Sequence, residues 1–324
     1  MTIHFVHAEL RYALLSHGCL RKPDLLRTSR AATWRFSHLS ANIHPLLNLE
    51  MPPDYELQSY WKARFENESD FEWLGDGSDT ILPHLRAHLT DPRVSARSSP
   101  SRPARLLHIG AGTSSLSERI RELYHDVYGA QVDERAIVNT DFAENLVARE
   151  REKAEAAFAV GRSRTGMQWV CANLLKWGEL EAALQPEEER HTFDLVVDKS
   201  TSDAISCGED VSYSNPDPSI HPALNEILAA QGGKKISISP VELLAVHLAS
   251  LVRPGGLWVG LTFSPHRFPF LASLEERRDT RHSHAATYWT IDEVVTVDAP
   301  TGMEGSAYAP VVQHYIFLLR RKSP

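Results

Sequence analysis

Cysteine is scarce in this chain: only Cys19, Cys171 and Cys207 occur in 324 residues, with no Cys-x-x-Cys pair and no His/Cys cluster at metal-ligand spacing. A disulfide framework and a structural zinc site are thereby excluded as sources of stability, and no metal is expected; the composition suits a reducing compartment. Long apolar runs are missing too. The run around Leu257 to Phe263 falls far short of the roughly 20 residues a membrane span needs, so a soluble protein with no membrane partner is expected. Nor is there an excess of positive charge. The formal net charge is -8 and no basic patch stands out, which argues against a nucleic acid partner. A secretory signal is excluded because Arg11 interrupts any apolar stretch near the start.

What is present, 42% hydrophobic residues, can bury one large core. Residues 1–50 carry Arg11, Arg21, Lys22, Arg27, Arg30 and Arg35 against few acids, and read as a poorly ordered extension or a transit segment. The location expected is therefore cytoplasmic, with a mitochondrial alternative if this segment is a transit peptide. Residues 51–90 read as an N-terminal helical cap, and residues 91–104, DPRVSARSSPSRPA, as an exposed linker. From 105 to 324 short apolar runs alternate with helical stretches: LLHI, AIV, MQWVCA, FDLVVD and LWVGLTF. Buried parallel strands joined by crossover helices have this pattern. Ser239, Pro240 and Glu242 form a capping box, and Arg253, Pro254, Gly255 and Gly256 stop the helix it opens. HYIFLLRR from His314 reads as a late strand with TYWTIDEVVTV as its partner.

The first strand runs into LLHIGAGTSS, where Gly110 and Gly112 allow a tight turn and close approach of a ligand. A dinucleotide fingerprint would need glycine at 115, which is Ser115, so nicotinamide and flavin cofactors are disfavoured; the methionyl moiety of S-adenosylmethionine needs no such glycine. Asp141 ends the second strand where an acid can accept from a ribose diol, or can simply cap the next helix. Asn173 ends the third strand, within reach of an adenine amine. Asp198, Lys199 and Ser200 end the fourth, at the carboxyl edge where open sheets bind ligands. Asn215-Pro-Asp-Pro resembles the NPPY box of nucleobase amino-methyltransferases but falls in a loop well past the fourth strand, and is set aside.

SYWKARFENESDFEWLGDGS from Ser59, LLHIGAGTSSLSE, IVNTDFAENLV, FDLVVDKSTSDAI, LVRPGGLWVGLTFS and HYIFLLRRK together resemble the seven-β-strand, class I methyltransferase-like proteins. The nearest group looks like the elongation factor 1-alpha lysine and N-terminal methyltransferases and the citrate synthase lysine methyltransferase. The resemblance runs from Ser59 to Lys322 in constant order. It implies an α/β, Rossmann-like doubly wound sheet in the order 3-2-1-4-5-7-6, the last strand antiparallel, with helices on both faces. It also implies S-adenosyl-L-methionine as cofactor. Position by position, Gly110, Gly112 and Ser114 would cradle the methionyl part, and Asp141 would hold the ribose. Phe142 would pack on the adenine, with Asn173 and Leu174 at its edge. Asp198 would lie near the methionyl amine and Arg64 near its carboxylate. Tyr60, Trp61 and Trp73 would roof the site, and Asp198, Trp73 and Tyr60 are the catalytic candidates. Asn173 and Ser200 depart from the family's aspartate and glycine, and 207–238 is a long insertion. The expected activity is methyl transfer to a protein lysine, on a protein substrate such as a translation factor. A small-molecule N- or O-acceptor and a non-catalytic cofactor-binding scaffold are the alternatives.

Overall fold

A computed structural model describes residues 53–159, 166–184, 193–232, 234–272, 283–299 and 312–323. Residues 55–299 and 313–324 form one compact unit, and the account below is of that unit. The extension read over 1–50 lies outside the described residues.

In chain order, the cap supplies α1 (Gln58–Asn67) and α2 (Leu82–Leu89), followed by the short α3 (Pro92–Ser95). The first half of the sheet alternates β1 (Leu106–Ile109), α4 (Leu116–Tyr128), β2 (Ile137–Asp141), α5 (Glu144–Ala159), β3 (Gln168–Cys171) and α6 (Trp177–Leu184). The second half follows with β4 (Phe193–Lys199), α7 (Thr201–Ile205), β5 (Val211–Tyr213), α8 (Pro222–Ala230), β6 (Ile236–Ile238), α9 (Pro240–Leu251), β7 (Val252–Thr262), β8 (Trp289–Asp298) and β9 (Gln313–Arg321).

Every residue of β1, β2 and β4 is buried, as parallel strands covered on both faces must be. The seven-stranded sheet has the order β3-β2-β1-β4-β7-β9-β8, with β9 antiparallel to both β7 and β8. Counting only the strands of this sheet, that is 3-2-1-4-5-7-6 with the last strand antiparallel: the α/β Rossmann-like methyltransferase arrangement. The strand order switches between β1 and β4, which pair in parallel, and open α/β sheets bind ligands outside the carboxyl ends of strands at such a switch point.

The capping box at the start of α9 is present, Ser239 Oγ accepting the Glu242 N–H at 3.4 Å with Pro240 in the first turn. At its end a Cβ on Gly256 would lie 2.5 Å from Val252 Cγ1, so the return into β7 admits only glycine there. The insertion folds on itself: β5 pairs antiparallel with β6, and α8 between them buries Leu224 and Leu228.

Residues 91–104, read from composition as an exposed linker, are folded. Asp91 caps α3 by accepting the Arg93 N–H at 2.7 Å, Val94 is buried, and Ser99 bridges to Arg102. The cause lies far along the chain. Asp194, buried at the start of β4, accepts from Arg97 at 3.0 Å and from the Arg105 N–H at 2.9 Å. A buried carboxylate needs such donors, and this segment supplies them.

Candidate active site

At the end of β1 the chain turns through Gly110 (φ +56) and Gly112 (φ +58), both left-handed. At Gly110 a Cβ would also fall 2.3 Å from Thr201 Oγ1, so the turn of β1 and the start of α7 fit only around glycine. The Gly112 N–H donates to Asp141 Oδ2 at 3.1 Å, and the Ala143 N–H to Oδ1 at 2.9 Å. Asp141 thus both ties β2 to the glycine turn and caps the start of α5. Burial raises its pKa to about 6, against the lowering effect of these N–H donors. The Phe142 N–H is a third donor to it, and the carboxylate as a whole, with about four acceptor sites, keeps capacity for a further donor.

Asn173 and Leu174 follow β3. The Asn173 carbonyl oxygen Oδ1 accepts the Leu175 N–H at 3.0 Å, and Leu174, whose carbonyl meets His247 Nδ1 at 2.9 Å, is buried. The backbone carbonyl of Phe142 accepts from Gln58 of α1 and from Cys171 Sγ at 3.8 Å.

The cap crosses this edge. Phe65 of α1 packs with Ala143, just before α5, and with Leu146 of α5, and its ring tip lies 3.7 Å from where a Cβ on Gly112 would stand. Trp61 packs against Phe65, the rings tilted by 34° with centroids 5.6 Å apart, and donates its indole N–H to the Tyr55 carbonyl at 2.7 Å. Tyr55 meets Tyr60 and Trp73 edge-on at 5.3 and 6.0 Å, and Trp73 reaches Phe263, just past β7, at 5.8 Å. The aromatic roof is therefore continuous. Arg64, placed by resemblance near the methionyl carboxylate, is engaged within the cap: it donates to Glu68 and to the Tyr60 hydroxyl, each at 2.9 Å, and lies 4.0 Å over Phe71.

Asp198 at the end of β4 is fully buried. Its Oδ1 accepts the Thr201 and Ser202 N–H groups at 2.9 and 3.1 Å, while Oδ2 has no hydrogen-bond partner among the described residues. Burial pushes its pKa up to about 6, and the nearby Asp203 adds to the rise.

No family model matches the chain. Over 270 residues it is 28% identical to a methyltransferase of Neurospora crassa, srdJ, which covers 83% of this chain and 85% of that protein. Its fold is similar to that of the N-methyltransferase NodS from Bradyrhizobium japonicum WM9 in complex with S-adenosyl-L-homocysteine: 13% identity, 84% of this chain and 100% of the other, TM-score 0.37. A SAM-dependent methyltransferase from Anabaena variabilis is 10% identical, covering 88% of this chain and 100% of the other, TM-score 0.42. Likenesses that distant carry no weight beside the sheet order itself. The fold and the Neurospora relative support a methyltransferase that uses S-adenosylmethionine.

The residues at this edge fit that cofactor. The glycine turn approaches without side chains, and the buried Thr113 hydroxyl beside it has no partner among the described residues. Asp141 stands at the end of the neighbouring strand with acceptor capacity left. In this methyltransferase fold Gly110, Gly112, Thr113 and Asp141 would hold the cofactor, under Trp61 and Phe65.

Several residues at this edge escaped the sequence reading. Asp203 is fully buried and accepts from Arg267, from Thr262, and from Ser200 Oγ at 2.7 Å, joining α7 to the end of β7. Glu72 accepts from Ser115 and Lys199, and Phe65 covers Gly112. Asp203 and Glu72 both lie inside the quoted motifs, DKST.DA and FEW, so position within a motif was the available signal. Ser114, expected to line the methionyl part, gives its hydroxyl to Glu72 and receives Lys199 and the Leu116 N–H.

Proposed function

We propose that the chain transfers the methyl group of S-adenosylmethionine to the ε-amine of a lysine in a protein substrate. The observation that carries this reading is the aromatic roof from Tyr60 through Tyr55 and Trp73 to Phe263, laid along the carboxyl edge of the sheet. The motif resemblance to lysine methyltransferases supports it independently. Bound S-adenosylmethionine supplies a sulfonium methyl, open to direct displacement without a covalent enzyme intermediate.

The chain's own residues have two tasks. A free lysine titrates near 10.4, so the acceptor must give up its proton to solvent before it can attack, and an apolar aromatic wall favours the neutral amine. Tyr60 and Trp73 present ring surface at that wall and attract a cationic amine by on the order of 0.5–2 kcal/mol each before it deprotonates. Holding the amine in line supplies the rest, since well-oriented reactants gain roughly 7–11 kcal/mol from proximity. Asp198 acts as a positioning residue, through the N–H groups of residues 201 and 202 that it fixes at the end of β4.

Incubation with methyl-labelled cofactor and host lysate, followed by peptide mapping, tests the reading. Label on lysine side chains is expected. Label confined to the small-molecule fraction would move the activity to a small-molecule N- or O-acceptor.

A further inference from the structure

Two segments 127 residues apart in sequence meet at one carboxylate. Glu72 Oε1 accepts the Ser115 N–H at 2.7 Å and the Ser115 hydroxyl at 2.5 Å; its Oε2 accepts the Ser114 hydroxyl and the Lys199 ammonium, both at 2.8 Å. Lys199, with its side chain only 5% exposed, completes its shell with Ser114 Oγ at 2.7 Å and the Gly75 carbonyl at 2.6 Å. Three ammonium protons meet three acceptors, which leaves Lys199 no hand for a substrate or cofactor group.

Backbone strain marks the same place. Among the described residues Leu74 (φ 62) and Ser200 (φ 64) are the non-glycine residues with left-handed φ. One follows Glu72 by two positions and the other follows Lys199 by one. Such conformations cost of order 1–3 kcal/mol and persist where surrounding contacts over-determine them. Leu74 turns the chain so that Gly75 offers its carbonyl to Lys199, and Ser200 turns it so that β4 can end there and α7 begin.

We propose that Glu72 and Lys199 are positioning residues that clamp residues 72–75 onto the turn 110–115 and thereby set the affinity of that turn for the cofactor. This rests on the methyltransferase reading above. The pair touches no ligand atom; it acts through Ser114 and Ser115, which directly follow the glycine turn. Without the Glu72 charge the Lys199 ammonium stays buried with neutral acceptors only, and the two serines lose the acceptor that fixes them.

The test is calorimetric titration of S-adenosylhomocysteine into the full chain and into Glu72→Gln, Lys199→Met and the double variant, with melting temperature measured without ligand. The expected result is affinity at least about tenfold weaker in each single variant, and no weaker in the double variant than in the worse single one, since one interaction is lost either way. Glu72→Gln is nearly isosteric at a partly exposed site and should stay folded. Should it unfold, Ser115→Ala removes one donor to Glu72 while keeping the charge pair, and is expected to weaken binding several-fold. Affinity within about twofold of the unaltered chain in whichever variant is folded overturns the proposal, even with a lowered melting temperature, because that is what a merely structural pair would give. Tighter binding by Glu72→Gln overturns it too, making Glu72 a competitor of the ligand. If the unaltered chain binds neither S-adenosylhomocysteine nor S-adenosylmethionine, the methyltransferase reading fails and takes this proposal with it.

Discussion

Asp141 and Asp198 lie at the carboxyl ends of β2 and β4, the two strands that flank β1, and burial raises both to a pKa of about 6, yet the consequences differ. Asp141 keeps acceptor capacity that a ribose diol would use, and the charged form is the better acceptor. Cofactor affinity is therefore expected to rise with pH through about 6 and then level off. Asp141→Ala should lose about 1.5–3 kcal/mol of binding along with that pH dependence; calorimetry showing unchanged affinity would remove Asp141 from the site. Asp198 instead carries a buried charge with one oxygen unpartnered. Its folded pKa is raised, so its contribution to stability is present in acid and is lost as pH rises through about 6. Asp198→Asn keeps an acceptor for the 201 and 202 N–H groups and drops the charge. Its melting temperature is expected to exceed that of the unaltered chain at about pH 8, by on the order of 1–3 kcal/mol of stability, with the gap closing toward about pH 4. A constant gap would show that the Asp198 charge is not the cause. The strand-end positions of Gly110 and Asp141 were legible in sequence because a strand-end turn and a strand-end acid are local features. The Glu72–Lys199 pair was not, since the chain between its members holds most of the sheet.

At the scale of elements, the cap matters through what it lays on the sheet. Phe65 pins α1 to the glycine turn, and Trp73 bridges the cap rings to Phe263. Trp73 is half-buried, so it is not packed as a core tryptophan, whose truncation costs roughly 3–5 kcal/mol. Trp73→Ala is accordingly expected to destabilise modestly, to keep cofactor affinity within a few fold, and to reduce single-turnover methyl transfer by on the order of 10² through lost alignment of the acceptor. A large loss of stability, with transfer per folded molecule unchanged, would assign Trp73 to the core. Deleting the chain through Trp73 removes Phe65 and Glu72 together and is expected to abolish soluble, cofactor-binding protein. The segment at 91–104 shows why element boundaries misread. Its serines, prolines and arginines have the composition of a linker, but Arg97 is drawn in by Asp194, a buried acid whose need for donors only tertiary structure reveals.

Across the whole molecule, the strands were legible because a sheet buried on both faces writes each parallel strand as an unbroken apolar run, and β1, β2 and β4 are buried at every position. The polar contents of that core were not legible, because a histidine in an apolar run carries no sign of its protonation state. His88, His108, His221 and His247 are all buried, and burial lowers them to about 4, 3, 3 and 4. A depressed histidine contributes stability that is present above its unfolded pKa near 6.5 and is lost as pH falls toward the folded value. Asp141 and Asp198 work in the opposite direction, gaining stability as pH falls through about 6, but they are two groups against four and their shifts are smaller. The melting temperature of the free protein is therefore expected to fall from about pH 7 to about pH 5. His247 is the group to test. Its Nδ1 meets the Leu174 carbonyl, its ring packs beside Trp177 and His221, and its Nε2 has no partner among the described residues. His247→Asn places an amide N–H where Nδ1 stands and cannot take up a proton in this range. Its melting temperature should fall less steeply between the same two pH values, even if it starts lower at neutral pH. Parallel slopes for the variant and the unaltered chain would show that acid destabilisation enters elsewhere, and would leave the α6–α9 contact around Leu174 as ordinary neutral packing.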